Sequence, residues 1–455
     1  MRAGVAAGHV ATARAGAEIL AEGGSAADAA IAASLASCVA ETVMTGLLGG
    51  GHAIHWDAAT ESATALDCFV TAPAGAGAAL DELDVRFGEE IVRYAVGAGS
   101  VAVPGLPAGL EALHRAHGRL PWARLVEPAL RLAEQGVALP PGHASCLAML
   151  APVFTLTARG REIYAPAGRV LVAGERLDQP GLAETMRLLR DEGAASVYSG
   201  TIARSLVQLL DGHLTAADLA AYEPCWEAPT ETPYAGTRFL ARRGLTPPAE
   251  VLARLPRLRG LDATARTLAL VEALAGADAS GHTTNLVAVD DDGNACVLTT
   301  SLGLGSGDFL PGLDLQPNSM LGEIELLSGL LTPGDRMASM MAPSLAIDDD
   351  GLALAIGSAG GSRLRSALVS VAAAILDERI DPQEAVERPR VHPAGPVVHA
   401  EPGADEDALS ALERSGRPVR RWAEQHHYFG GVSAIARAGA AADPRRSGAV
   451  AWPSD

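Results

Sequence analysis

Two hydrophobic periods alternate along this chain, a period of two and a period near 3.6. Thr283 and Thr284 begin an extended run through Leu286-Val287-Ala288-Val289, which Asp290-Asp291-Asp292-Gly293 turns. Ala295-Cys296-Val297-Leu298 leads back to Thr299-Thr300-Ser301. β-Branched residues on both sides of an Asp-Gly turn predict a hairpin. Residues 342–347 and 352–356 repeat the pattern around Asp348-Asp349-Asp350-Gly351. Further strands are predicted over 52–56, 63–70 and 430–436. Helical spacing marks 11–20, 26–39, a pair within 108–136 broken near Leu120-Pro121, more helices within 180–221, and 263–275 and 362–376. Ser25 is a suitable N-cap for the helix over 26–39, and Asp28 in its first turn suits the helix dipole. That helix is Ala-rich and apolar all round, so it should be buried. Hairpins alternating with apolar helices predict two stacked sheets with helices on both outer faces.

Composition narrows the function classes. Of 455 residues, 48% are hydrophobic, which suits a large core, and the net charge is −19. All the basic residues are arginine. An evenly acidic surface disfavours nucleic acid and anionic membranes as partners. Cys38, Cys68, Cys146, Cys225 and Cys296 are scattered, without the spacing of a disulfide framework or a metal site. His426-His427 lacks a third ligand, and no metal or other cofactor is expected. No run reaches transmembrane length, and the first residues lack a signal-peptide pattern, so a cytoplasmic location is expected.

Glycine marks two places of interest. Gly46-Leu47-Leu48-Gly49-Gly50-Gly51 precedes a strand, the reverse of a phosphate-binding loop, and reads as a tight backbone approach. His52 and His55 in that strand read as packing residues. Gly357-Ser358-Ala359-Gly360-Gly361-Ser362-Arg363 lies between a strand and a helix, where backbone amides can face a developing anion. An uncut threonine hydroxyl is a weak nucleophile. Cleavage just before Thr283 would give it its own α-amine as general base.

These motifs resemble the γ-glutamyltransferase family of N-terminal-nucleophile hydrolases. The resemblance rests on Glu22-Gly23-Gly24-Ser25-Ala26-Ala27-Asp28-Ala29-Ala30, Gly49-Gly50-Gly51, Val103-Pro104-Gly105, the Thr-Thr strand, Asp292-Gly293-Asn294, the glycine-rich run at 357–363 and Asp443-Pro444-Arg445. It implies an α+β fold, a four-layer αββα sandwich whose one core is shared by two autoprocessed fragments. Those fragments would be 1–282 and 283–455, parted by autocleavage between His282 and Thr283. It further implies Thr283 as nucleophile, Ser301 as a hydroxyl set against it, and the Gly360 and Gly361 amides as oxyanion donors. The partners implied are a small-molecule substrate and the chain's own cleaved fragment.

The substrate pocket departs from the family pattern. Relatives hold the γ-glutamyl α-carboxylate with an Arg in Asp-Phe-Arg-Glu, and this chain reads Asp67-Cys68-Phe69-Val70. Phe69 exchanges a bidentate clamp for an apolar wall. Arg86 and Arg93 are the nearby arginines long enough to replace it. Of a serine pair that helps hold the carboxylate, Ser339 remains and Ala338 does not. The positions matching the amine-binding residues read Gly303, Ser319 and Gly322, with Asn318 and Glu323 close enough to substitute; Thr284 is the remaining substrate-side candidate. The expected activity is hydrolysis or transfer of an acyl, γ-glutamyl-like group. Two alternatives stand beside it: hydrolysis of a carbon–carbon bond next to a keto-acid group, as in family members of specialised metabolism, and an uncleaved binding homologue.

Overall fold

The computed structural model describes all residues except 76–77, 88–89, 246, 276–282, 324–325, 328, 362 and 455. Two antiparallel sheets lie at its centre. The first has seven strands in the spatial order Ala449–Ala451, Gly4–Ala7, Thr284–Val289, Ala295–Ser301, Gly50–Asp57, Ser62–Cys68, Cys225–Glu227. The second has six, in the order Gly439–Ala442, Gly431–Ala436, Gly351–Ala359, Ser344–Asp348, Thr237–Ala241, Thr230–Tyr234. Both predicted hairpins are present, one at the centre of each sheet.

Alternation along these strands builds the layers. Successive side chains point to opposite faces of a sheet. Val287, Val289, Ala295 and Val297 meet Leu345, Ile347, Ala355 and Ile435 in a core between the sheets. Leu286, Ala288, Cys296 and Leu298 face the other way, against the helix Ala26–Ala40. The second sheet turns Ala346, Leu354 and Ile356 outward onto the helices Pro248–Arg254 and Arg363–Ala373. The result is the expected four-layer αββα arrangement, and strands on both sides of residues 276–282 share the same cores.

Local signals explain the element ends. Ser25 and Asp28 form a reciprocal capping box at the start of the helix Ala26–Ala40, which satisfies amides the helix leaves unpaired. Asp28 also accepts hydrogen bonds from the Arg119 and Leu120 amides, so its role is structural. At Gly49 a Cβ would lie 2.1 Å from the Ser301 carbonyl oxygen. The glycine run is therefore a close backbone approach, as its sequence order implies. The hairpin Thr230–Tyr234/Thr237–Ala241 was not predicted. It lies at the sheet edge, where Pro233 is tolerated because its missing N–H faces no partner strand. Among the described residues, no helix is long and apolar enough to cross a membrane.

Candidate active site

Thr283 immediately precedes the central strand Thr284–Val289 and is nearly buried. Register puts Thr284 opposite Thr300, so the next pair outward is Thr283 and Ser301. Parity places both on the side of Val287 and Val297, facing the second sheet. There the strand Gly351–Ala359 ends, and Gly360 and Gly361 turn the chain with φ of +126° and +60°. The Gly360 N–H donates to Thr283 Oγ1 at 2.7 Å. At φ +126° a side chain is strained, and a Cβ on Gly360 would also lie 2.8 Å from Gly430 Cα. Arg446 Nη1 donates to the Thr283 carbonyl oxygen at 3.1 Å. Both ends of this residue are thus held by groups from the C-terminal half of the chain.

Thr283 lines a small cleft. Its walls include Phe69, Met320, Leu326, Met340, Met341 and Leu364, with Ser301, Glu323, Ser339 and Gly361 as the polar or backbone contributions. All six apolar side chains belong to one buried cluster with Met337. Three of the chain's eight methionines therefore line this one cavity. Methionine is flexible and polarizable, so such a wall adapts to the shape of an occupant.

Behind Phe69 lies a buried ionic cluster. Asp67 Oδ2 accepts a hydrogen bond from Arg242 Nη2 at 2.8 Å, and Arg336 Nη1 lies 3.5 Å from Oδ1. His52 Nδ1 is 3.5 Å from Asp67, and its ring packs on Phe69. Burial pushes the Asp67 carboxyl up, but Arg242, the hydrogen bond from the Phe69 amide and Arg336 offset it and leave it below its usual value. Burial first, and the neighbouring guanidiniums second, drive His52 well below its ordinary value, so it is neutral. Arg336 also bonds the Phe69 carbonyl and the Tyr222 hydroxyl, each at 2.8 Å.

The opposite side of the threonine pair is polar. Thr284 donates to Glu41 Oε2 at 2.5 Å, and Thr12 donates to Oε1 at 2.6 Å. Glu41 is the C-cap residue of the helix Ala26–Ala40 and is 1% exposed. Burial raises its carboxyl to about 7, against the opposing pull of the two threonines and Arg446. Next to this trio, Thr45 and Thr300 share a hydroxyl–hydroxyl bond of 2.8 Å.

Of the predicted residues, Phe69, Thr283, Ser301, Glu323, Ser339 and Gly361 meet in the cavity, and the Gly360 amide donates to Thr283 Oγ1. Three substrate-side expectations are corrected. Asn318 is committed to the backbone: its amide donates to the Leu48 and Ala102 carbonyls and accepts from the Ala102 and Met320 amides. Ser319 accepts from the Leu304 amide and braces a loop. Thr284 turns to Glu41, away from the cavity. Arg93 lies on an exposed hairpin, paired with Asp84 and Glu82, and Arg86 is exposed on the same hairpin, so neither replaces the clamp. Sequence reasoning missed Arg242, Arg336 and Glu41. His282 and Ser362 lie outside the described residues, as does the polar loop before Thr283.

Comparison with known proteins bears on the same geometry. The γ-glutamyltranspeptidase family model matches residues 12–274 and 243–452. The chain is 29% identical over 525 residues to the acylase ACY 1 proenzyme of Pseudomonas sp. (strain V22), covering 98% of this chain and 91% of that protein. It is 33% identical over 255 residues to the glutathione hydrolase proenzyme of Bacillus subtilis, covering 52% of this chain and 43% of that protein. The crystal structure of cephalosporin acylase from Bacillus halodurans superposes with a TM-score of 0.84 at 25% identity, covering 99% of this chain and 96% of that one. The chain therefore belongs to the γ-glutamyltranspeptidase family and is an acylase- or hydrolase-type enzyme of the N-terminal-nucleophile class.

Proposed function

We propose that the chain cuts its own His282–Thr283 bond and that Thr283 then hydrolyses amides whose acyl group is apolar. The observation that carries this reading is the wall of Phe69 and the methionines over a threonine hydroxyl already held by a backbone N–H.

In the uncut chain, the Thr283 hydroxyl attacks the carbonyl of residue 282. The C–N bond breaks as the peptide becomes an ester, which frees the Thr283 α-amine, and water then hydrolyses that ester to release the residue-282 carboxylate and restore the hydroxyl. In the mature enzyme the amine takes the hydroxyl proton as the oxygen attacks the substrate carbonyl. The charge that develops on the carbonyl oxygen is met by the Gly360 and Gly361 amides. The proton passes to the leaving amine, and an acyl-threonine ester remains. Water, deprotonated by the same α-amine, releases the acid and restores the threonine. An α-amine titrates near pH 7.7–8.0, so activity should rise through that range.

Donor choice follows from the wall. A γ-glutamyl group brings a carboxylate and an ammonium on one carbon. Phe69 offers the carboxylate no partner, and the buried Arg242 and half-buried Arg336 behind it are held by Asp67. An apolar acyl chain loses nothing by entering. Two relatives named as acylases support amide-linked acyl groups as the donor class.

A panel of p-nitroanilides tests this, comparing acetyl, butyryl and hexanoyl with γ-glutamyl. The apolar donors should be hydrolysed with the higher kcat/KM, and Thr283→Ala should abolish all of it. A γ-glutamyl donor that outpaces them would make this an ordinary γ-glutamyl enzyme. A keto-acid substrate with a scissile carbon–carbon bond controls for the competing reaction.

A further inference from the structure

Cleavage before Thr283 creates a problem that the uncut chain does not have. The nucleophile becomes a chain end, and chain ends fray unless they are tied down. Its hydroxyl must nevertheless stay within hydrogen-bond reach of the Gly360 amide and beside the acyl cavity. The strand ladder begins only at Thr284, one residue inward. Some group has to hold that first rung from the face opposite the cavity.

We propose that Glu41 is the positioning residue of this site, clamping Thr284 from behind so that Thr283 keeps its aim once the chain is cut. This rests on the reading of Thr283 as the nucleophile. Glu41 touches neither the hydroxyl of Thr283 nor the cavity in front of it; it acts through Thr284.

Three independent features carry the inference. The Thr284–Glu41 bond, at 2.5 Å, falls in the range of charge-assisted hydroxyl–carboxylate bonds. The carboxylate is itself fixed from its other oxygen by Thr12, on the helix Val10–Ala21, so it cannot swing away. Gly8, in the turn between the first strand and that helix, seals the bond. A Cβ there would lie 2.5 Å from Glu41 Oε2 and 2.8 Å from Thr284 Oγ1. Gly8 is not among the residues of positive φ, so space rather than backbone conformation requires glycine at this position. A carboxylate is also a costly choice for so buried a place. A threonine or glutamine would cap the helix and bond a hydroxyl without burying a charge.

The ionisable groups around Glu41 come from several elements. Arg446 and Asp443 reach the same small cavity from the C-terminal turn, and His143 reaches it from the helix Pro141–Phe154, with the His9 ring tilted against it. Cys38 lies one turn back on Glu41's own helix. Burial and His9 push His143 down to about 3, and burial and Glu41 push Cys38 up to about 12. Burial lowers His9, and Arg390 and Arg445 outweigh burial to lower Asp443. Arg446 is lowered by burial from a value far above neutrality. Glu41, raised to about 7, titrates close to the range of an α-amine. Its ionised form accepts both threonine hydroxyls. Its protonated form must turn a proton toward one of them and loosens the clamp. The acid limb of kcat in the mature wild type should then contain two ionisations, Glu41 and the Thr283 α-amine.

The test compares wild type, Glu41→Gln, Glu41→Ala and Gly8→Ala, each as the full chain on the preferred acyl anilide. Glu41→Gln should mature into two fragments but show a kcat acid limb whose limiting slope falls from two to one. Glu41→Ala should lower kcat by about 10²-fold with KM little changed, the cost of a misaimed nucleophile. Gly8→Ala should move kcat in the same direction without touching either partner. Should Glu41→Ala fail to fold, the slope of Glu41→Gln decides. The proposal is overturned if Glu41→Gln keeps the wild-type two-ionisation limb. It is equally overturned if Glu41→Ala keeps kcat within about twofold while only its melting temperature drops. A failure of the nucleophile assignment would look different, because Thr283→Ala would then still be cut or active.

Discussion

The two faces of the threonine pair differ sharply. Before Thr283 lies an open cavity with walls of Phe, Met and Leu. Behind Thr284 lies a polar pocket lined by Glu41, Arg446 and His143, with Thr12 bonded to Glu41. The hydroxyl, the α-amine and the amides that would run the chemistry come from Thr283 and from the turn at Gly360-Gly361, with Glu41 positioning them from the rear. The front wall comes from side chains that can be exchanged without moving any of these. On the proposed reading, a family can change what it accepts while it keeps how it reacts, and Phe69 in the place of the expected clamp arginine is one such exchange.

The comparison can be broken in several ways, of decreasing size. Asp67→Asn leaves Arg242 buried without its charge partner. The expected loss is about 3–5 kcal/mol of stability, read by denaturant unfolding. Asp67 is held below its usual value in the fold, so its contribution is present above about pH 4 and is lost as pH falls through the folded value. Wild type should therefore lose its margin over Asp67→Asn in acid. Gly360→Ala should cost about 10²–10³-fold in kcat with a largely intact fold, since the added Cβ displaces the amide that faces Thr283.

Phe69→Arg sharpens the contrast from the front. It should raise kcat/KM on a γ-glutamyl anilide by about tenfold and lower it on a hexanoyl anilide by a similar factor, a change of about 1.4 kcal/mol each way. The new guanidinium meets Arg242 and Arg336 nearby, which limits the gain. Arg93→Ala should change neither activity beyond about twofold, because that side chain is an exposed partner of Asp84 and Glu82. A large effect there would return the missing clamp to the exposed hairpin.

How much of this was legible in the sequence follows the same division. The central hairpin was, because β-branched runs around Asp-Gly admit few other folds. Ser25 and Asp28 were, because capping is a local interaction. The apolar wall at Phe69 was, because Phe69 follows the matching Asp67 at the place where the resemblance expects an arginine. Asn318 was misassigned because sequence places a residue near a site without saying where its amide points, and here it points into backbone. Arg242 and Arg336 reach Asp67 from distant parts of the chain, so no local pattern announces them. Glu41 was invisible for a related reason. A lone acid after an Ala-rich helix looks like an exposed end, and only the packing of Gly8 and Thr284 against it reveals a buried clamp.

The mass of the purified protein under denaturing conditions, followed by the hexanoyl and γ-glutamyl anilide assays, tests the central claim most directly. The account predicts two fragments, Met1–His282 and Thr283–Asp455, from wild type, and a single inactive chain from Thr283→Ala. Wild-type protein that stays one chain while hydrolysing either anilide would contradict it.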